Sequence, residues 1–345
     1  MKLHQILEQH WRQPNRVLNV LLHPLSCLFG VIAKRRRRQF LRERDDLPRL
    51  NVPVVVVGNI HVGGVGKTPI VASLVKSLQA KGLKVGIISR GYGREEKGVH
   101  LVNANSTAAQ AGDEPLMLWR QTGAPMAVAA KRLAAGQALQ TAHSDLDIII
   151  ADDGLQHYGL WRDLEIVVFP YADSERDDLA LLPKGALREP VNRLVEADVL
   201  VLSNCPEQPT SSESSIQNRY FSPENTFYSH IETGDAYRLN NPSEKADLCR
   251  LQSAQIAALA GIAQPERFFQ SLEKLGLQLS ERKVLPDHAA LTTADLPRAE
   301  AVFITEKDAV KLQASEATNH VWVLPIEAKI EPDLADFVVQ KLRIR

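Results

Sequence analysis

Residues 58–68 read Gly-Asn-Ile-His-Val-Gly-Gly-Val-Gly-Lys-Thr and follow directly on four valines, 54–57. A buried strand, a glycine loop and then Lys-Thr make a cradle for phosphate. The glycines let successive backbone N–H groups turn inward around phosphate oxygens. Lys67 reaches toward the β and γ phosphates, and the Thr68 hydroxyl suits Mg²⁺. Pro69 then starts a helix whose positive end faces the anion. The usual spacing G-x-x-x-x-G-K-[ST] has Gly where this chain has His61, so the loop is a variant. The candidate nucleotide contacts are His61, Val62, Gly63, Gly64, Val65, Gly66, Lys67 and Thr68.

Outward from the loop, residues 70–80 carry helical periodicity, and Gly82 ends them before a second strand at 84–89, which completes a β-α-β unit. Further apolar runs at 125–129, 146–151, 165–169 and 199–202 alternate with helical segments, which argues for a parallel sheet covered by helices on both faces. Residues 204–225 are polar, rich in Ser and Pro and without sustained periodicity, so a domain boundary is expected there. Beyond it the pattern predicts a strand pair around 226–239, a strand at 255–260, a helix opened by Pro265, strands at 301–305 and 320–324, and an amphipathic helix at 333–342 that packs back. The expected fold is α/β. It has a P-loop NTPase-like core at 46–225, a second, smaller α/β domain at 226–345 and an N-terminal membrane-interface segment at 1–45.

A chain of 345 residues has room for two domains at about 100–200 residues each. Its 41 basic and 41 acidic residues balance, so no global field draws it to nucleic acid. Cys27, Cys205 and Cys249 show neither metal spacing nor an even disulfide set, which fits a reducing compartment. One local basic patch exists: Lys34, Arg35, Arg36, Arg37 and Arg38, with Arg42 and Arg44 behind it, after the apolar stretch 17–33. A membrane-spanning helix needs about 20 largely apolar residues. This stretch is shorter and is interrupted by Asn19, His23, Pro24 and Ser26, so it is expected to lie in the interface. Each Lys or Arg near an anionic leaflet adds about 1 kcal/mol. A secretory signal is disfavoured because the charge follows the apolar region. The alternative is an amphipathic helix packed on the core with a solvated basic end.

The run 147–151 ends in Asp152-Asp153, where a nucleotide-binding sheet places a carboxylate near Mg²⁺. Asp152 is the metal-associated candidate, and residues 154–157 (GLQH) form a polar turn beside it. Asp113 and Glu114, in Gly112-Asp113-Glu114-Pro115, read equally well as acidic residues at a helix start. His288, in Pro286-Asp287-His288, is a lone histidine whose type alone assigns no role. A signature-lysine ATPase would need Lys at Val62. A guanine-reading NKxD motif is missing as well, since Cys205 and Pro206 follow Asn204, so ATP is favoured over GTP.

Taken together, the segments GNIHVGGVGKTP (58–69), SRGYGR (89–94), GDEP (112–115), DDGLQH (152–157), LPKGALREP (182–190), AGIAQPERFF (260–269), PDH (286–288) and TEKDAVKL (305–312) resemble the lipid A 4′-kinase (tetraacyldisaccharide 4′-kinase) family. The resemblance implies transfer of the γ-phosphate of ATP, with Mg²⁺, to the 4′-hydroxyl of a tetraacylated glucosamine disaccharide 1-phosphate in lipid A assembly. It also implies two α/β domains with the site in the cleft between them, and an enzyme on the cytoplasmic face of the inner membrane without an obligatory protein partner. By position, Asp113 matches the family's catalytic aspartate and His288 its histidine partner. Lys67 and Asp153 complete the catalytic set, and Thr68, Asp152 and Glu114 the metal set. Family members commonly carry a second His after the first, where this chain has Ala289. Arg90 and Arg188 are anion contacts or salt-bridge residues. A nucleotide-driven switch or metallochaperone leaves the N-terminal segment without a reason, and a kinase for a soluble sugar makes that segment a packing helix.

Overall fold

In the computed structural model, which describes residues 3–206, 209, 215–251, 254–313 and 315–344, the valine run is strand β1 (Val54–Gly58), buried from end to end. β1 lies between β5 (Ile148–Asp152) and β6 (Leu164–Pro170), parallel to both. Beyond β5 come β2 (Val85–Ser89), β4 (Met126–Val128) and β3 (His100–Leu101). Beyond β6 come β7 (Val199–Ser203), β8 (Thr226–Thr233) and β15 (Ile326–Glu331). The strands from β4 to β8 run parallel, and the two edges, β3 and β15, are antiparallel. A parallel sheet buried on both faces explains why its strands are apolar runs and not alternations. Val55 and Val57 enter one core and Val54 and Val56 the other.

A second sheet has the order β10 (Asn241–Lys245), β9 (Tyr237–Arg238), β14 (Val321–Leu324), β13 (Ala301–Thr305), β11 (Ile256–Ala260) and β12 (Leu279–Val284). Its four strands β14, β13, β11 and β12 are parallel. They too carry a core on each face.

Sheet membership does not change at residue 225. β8 continues the first sheet on β7, the chain then builds the second sheet, and β15 returns to pair with β8. The expected strand pair at 226–239 is therefore two strands in different sheets, with Gly234 between them donating to Pro325 O at 3.0 Å where the chain crosses back. The helix Leu334–Leu342 buries Leu334, Ala335 and Val338 in the core that holds Leu74 and Leu78 of the phosphate-loop helix. The polar stretch after β7 reads as a linker because surface loops share a linker's composition. It connects neighbouring strands of one sheet.

The N-terminal segment holds a short helix, Leu3–Arg12, and then a long one, Arg16–Glu43, which runs through Pro24 and is capped by Asn15, whose side chain accepts from Val17 N and Leu18 N. The helical run is long and apolar enough to cross a membrane by length and composition, although Asn19, His23, Pro24 and Ser26 break up its apolar stretch. Proline in a helix costs a backbone hydrogen bond and crowds the preceding turn. Here it leaves the helix intact. A small-residue stripe docks the helix: Ser26 Oγ donates to Leu181 O at 2.7 Å, and a Cβ on Gly30 would meet Leu181 Cδ1 at 2.8 Å. The opposite face, with Val17, Val20, Leu21, Leu28 and Val31, is exposed, Val20 at 74%.

The basic run is divided. Lys34, Arg35, Arg36 and Arg38 are exposed, but Arg37 turns inward and pairs with Glu196 at 2.6 Å and Glu165 at 3.5 Å. Arg162 and Arg193 hold the same Glu165, at 3.0 and 2.5 Å. With its neighbours on either side free to face solvent, helical geometry points every fourth side chain or so back at the body. Arg37 occupies such a position and belongs to the core, as does Phe40.

Candidate active site

The phosphate loop leaves β1 and closes on the helix Lys67–Ala80. Gly66, the residue before that helix, has φ +85°, a left-handed backbone that only glycine adopts without strain. Ser203 Oγ donates to Val65 O at 2.6 Å, and Val62 N to Ala186 O at 2.8 Å, so the loop is braced from both sides. His61 is buried, with Nε2 3.2 Å from Asp173 Oδ2 and its ring edge-on to Phe169. The side chain that replaces the usual glycine is thus a packing group under the loop. Lys67 Nζ donates to Asn59 Oδ1 at 3.1 Å and lies 3.4 Å from Asp153 Oδ1.

Asp152 ends β5 at the next strand, where parallel sheets place ligand-binding groups. It is buried and accepts from Ser89 Oγ at 3.1 Å. Burial pushes its carboxyl up to about 6, with Asp153 and Glu114 adding to the rise and Lys67 and Arg132 offsetting only part of it. Burial works the same way on Asp153, yet Lys67, Arg188 and Arg132 outweigh it and hold that carboxyl below its ordinary value. Arg188 lies 3.8 Å from Asp153 Oδ2. Arg132 is buried and donates to the Asp152 and Asp153 carbonyls at 3.4 and 3.2 Å. His157 accepts from Arg132 N at 3.2 Å. Burial, followed by Arg132, Arg162 and Arg90, lowers it to about 4, so it is neutral at pH 7.

Asp113 opens the helix Asp113–Thr122 behind Gly112, whose φ of +92° and contact with Tyr92 O leave no room for a Cβ. The capping role suggested by composition is partial: of the backbone N–H groups at the helix start, the Asp113 side chain accepts from Glu114 N alone, at 3.1 Å. Its carboxylate turns to the second sheet, where His288 Nδ1 lies 3.0 Å from Oδ2 and 3.1 Å from Oδ1. Two residues 175 apart in sequence meet across the cleft. Lys311 Nζ stands 3.8 Å from the same carboxylate. The two halves also meet elsewhere, since a Cβ on Gly64 would lie 3.5 Å from Ala263 Cβ.

Glu114, expected among the metal ligands, is engaged by Lys307 Nζ at 2.8 Å, and the same ammonium reaches Asp287 at 2.9 Å and His288 Nε2 at 3.4 Å. Asp308 is fully buried and accepts from Gly261 N at 2.9 Å, Thr305 Oγ1 at 2.7 Å and Lys311 Nζ at 3.2 Å. These contacts place the TEKDAVKL segment at the cleft. Residue types along the chain assigned it no role, and they gave none to Asn59, Ser89 or Arg132 either. Position in a motif was the only signal for Asn59 and Ser89, and Arg132 lies in none of the quoted segments.

A family model for "LpxK: Tetraacyldisaccharide-1-P 4'-kinase" matches residues 18–343. The chain belongs to the tetraacyldisaccharide-1-P 4'-kinase family. A tetraacyldisaccharide 4'-kinase of Neisseria meningitidis serogroup C is 56% identical over 342 residues, covering 99% of this chain and 96% of the relative. One from Chromobacterium violaceum is 41% identical and covers 99% of each chain. Among solved structures, LpxK from Aquifex aeolicus in complex with ATP superposes with a TM-score of 0.79 at 29% identity, over 94% of this chain and 99% of that one. The nine-stranded sheet with its glycine loop is therefore the P-loop core of a 4'-kinase family member.

Proposed function

We propose that the protein transfers the γ-phosphate of ATP to the 4′-hydroxyl of a tetraacylated glucosamine disaccharide 1-phosphate. The observation that carries this reading is the Asp113–His288 pair, which joins a helix start of the nucleotide half to a turn of the second half, while Glu114 next to Asp113 acts electrostatically on Asp152 of the acid pair. Phosphoryl transfer asks for positioning, charge neutralisation and a carboxylate near the attacking hydroxyl. Backbone N–H groups of residues 63–66 cradle the β and γ phosphates, and Lys67 exchanges its contacts with Asn59 and Asp153 for phosphate oxygen. Arg188 and Arg90 are placed for phosphate charge, which a guanidinium meets bidentately. Asp113 accepts the hydroxyl proton and His288 orients it.

The residues fit Mg²⁺. A buried Asp152 carrying excess negative charge from its neighbours suits a divalent cation. Among the described residues no group of three or more Asp, Glu, His or Cys side chains could by itself hold a metal ion, and Mg²⁺ at a nucleotide site usually keeps phosphate and water ligands. Thr68 and Asp152 would hold it, and it would neutralise charge on the β and γ phosphates. Glu114 is proposed as a partner of Lys307 instead.

The acceptor's acyl chains stay in a bilayer, so the exposed apolar face of the helix Arg16–Glu43 serves to seat the cleft at headgroup level on the cytoplasmic face. Incubating full-length protein with γ-labelled ATP, Mg²⁺ and a detergent-dispersed acylated disaccharide 1-phosphate should label the lipid. Binding of ATP with no label on that lipid would overturn the assignment.

A further inference from the structure

We infer that Lys307 is a positioning residue that fixes His288 as a neutral imidazole with its proton on Nδ1, so that Asp113 alone takes the proton of the attacking hydroxyl. This rests on the kinase reading above for its chemistry, but its geometry stands independently. An ammonium offers donors and no acceptor. Lys307 directs them at Glu114 Oε1, Asp287 Oδ1 and His288 Nε2, at 2.8, 2.9 and 3.4 Å. A proton on Nε2 would set donor against donor, so Nε2 presents its lone pair. The ring proton then sits on Nδ1, and Nδ1 faces both oxygens of Asp113. Which ring nitrogen carries the proton is set by what the other one meets.

The surrounding groups agree. Asp287 Oδ2 is 3.8 Å from Nε2, outside hydrogen-bond reach, and the other oxygen of that carboxylate is held by Lys307. Tyr92 approaches with its ring, 5.3 Å between centroids, and Lys311 Nζ lies 3.8 Å from Asp113 Oδ2. Burial alone would favour a neutral Lys307 amine, but Glu114 and Asp287 outweigh it and hold the group above its ordinary value, as the ammonium. The backbone contributes too: His288 has φ +60°, and its N donates to Asp287 Oδ1 at 3.1 Å. Lys307 thus ties together the acid next to Asp113, the aspartate next to His288 and the imidazole itself.

In the step that follows, the acceptor O–H bond breaks with its proton going to an Asp113 oxygen, the alkoxide oxygen bonds to the γ phosphorus, and the β–γ bridging P–O bond breaks to leave ADP. His288 stays neutral throughout. It holds the carboxylate and takes no proton.

The test uses full-length protein in detergent with ¹⁵N-labelled histidine, the His288 signals being identified by their loss in His288→Asn. In the wild type at neutral pH, Nδ1 should resonate as a protonated and Nε2 as an unprotonated nitrogen, and Lys307→Met should lose that pattern. A proton on Nε2, or on both nitrogens, overturns the inference whether or not the protein phosphorylates the lipid. In turnover, Lys307→Met should lower kcat about tenfold with KM for ATP unchanged, and Lys307→Arg, still a donor-only cation, should recover most of it. His288→Asn keeps an N–H at the Nδ1 position and tolerates a left-handed backbone, so it should exceed His288→Ala by about tenfold or more. Equal activity of the Asn and Ala variants would also count against the inference.

Discussion

Asp152 illustrates what a kinase site costs at the level of one residue. Its carboxyl is raised to about 6 in the folded protein, against about 3.9 in an unfolded chain. Between those values the folded state holds more protons than the unfolded one, so the stability of the nucleotide-free protein falls as pH rises through that window. Asp152→Asn should remove this slope and raise stability at pH 7 by on the order of 2–3 kcal/mol, read from urea midpoints, while activity drops. A variant no more stable than the wild type would mean that the buried charge is not costly. At Asp113 and His288 the expectation is kinetic: each Ala variant should lower kcat by at least about 10²-fold, the range for acid–base groups. Near-normal turnover in a folded variant removes that residue from the mechanism. His61 is the instructive contrast, since its place in the loop pointed to nucleotide contact and its side chain instead packs on Phe169 and Asp173.

At the scale of the element, the helix Arg16–Glu43 has two faces with different tasks. Ser26 and Gly30 let it lie close on Leu181, and Arg37 and Phe40 are part of the body. Removing residues 1–45 would therefore leave Glu196 and part of the Glu165 cluster without a cation, and breaking a buried pair from one side is costly. Surface substitution is the cleaner probe. Val20, Leu21 and Leu28 changed together to Ser should lower sedimentation with anionic vesicles by about tenfold or more, because each fully buried side chain of this size contributes about 1.5–3 kcal/mol. Phosphorylation of detergent-dispersed acceptor should be little changed. Unaltered sedimentation would return the helix to a packing role. Apolar periodicity and the charge run made this element legible. Which arginine faces inward was not, because a stretch of five adjacent basic residues circles the helix and only the neighbouring Glu165 and Glu196 select one of them.

For the molecule as a whole, the return of the chain to its first sheet has a testable consequence. β15 and the helix Leu334–Leu342 stabilise the nucleotide half although they follow the second sheet in sequence. Deleting residues 333–345 exposes the pocket of Leu334 and Val338, at a cost of about 3–6 kcal/mol, a large part of the stability of an ordinary domain. ATP binding should be lost or markedly weakened, as measured by isothermal titration, while a protein that kept full affinity would show that the return is not needed. The pairing of β8 with β7 and β15 was not legible for the same reason: strand pairing at long range leaves no local mark, and a polar loop between two strands of one sheet has the composition of a linker.

The sequence by itself determined the parallel core, the phosphate loop and the acid pair after β5, because each is written in consecutive residues with a local physical cause: apolar runs for buried strands, glycines for a turned backbone, a carboxylate at a strand end. Asp113 and His288 were legible only through resemblance, since nothing near either residue names the other. Their meeting at 3.0 Å, the Lys307 bridge beside them, the inward turn of Arg37 and the final strand's return were decided by tertiary structure. These all depend on which distant groups share a cleft or a core, and a chain records that only in its folded geometry.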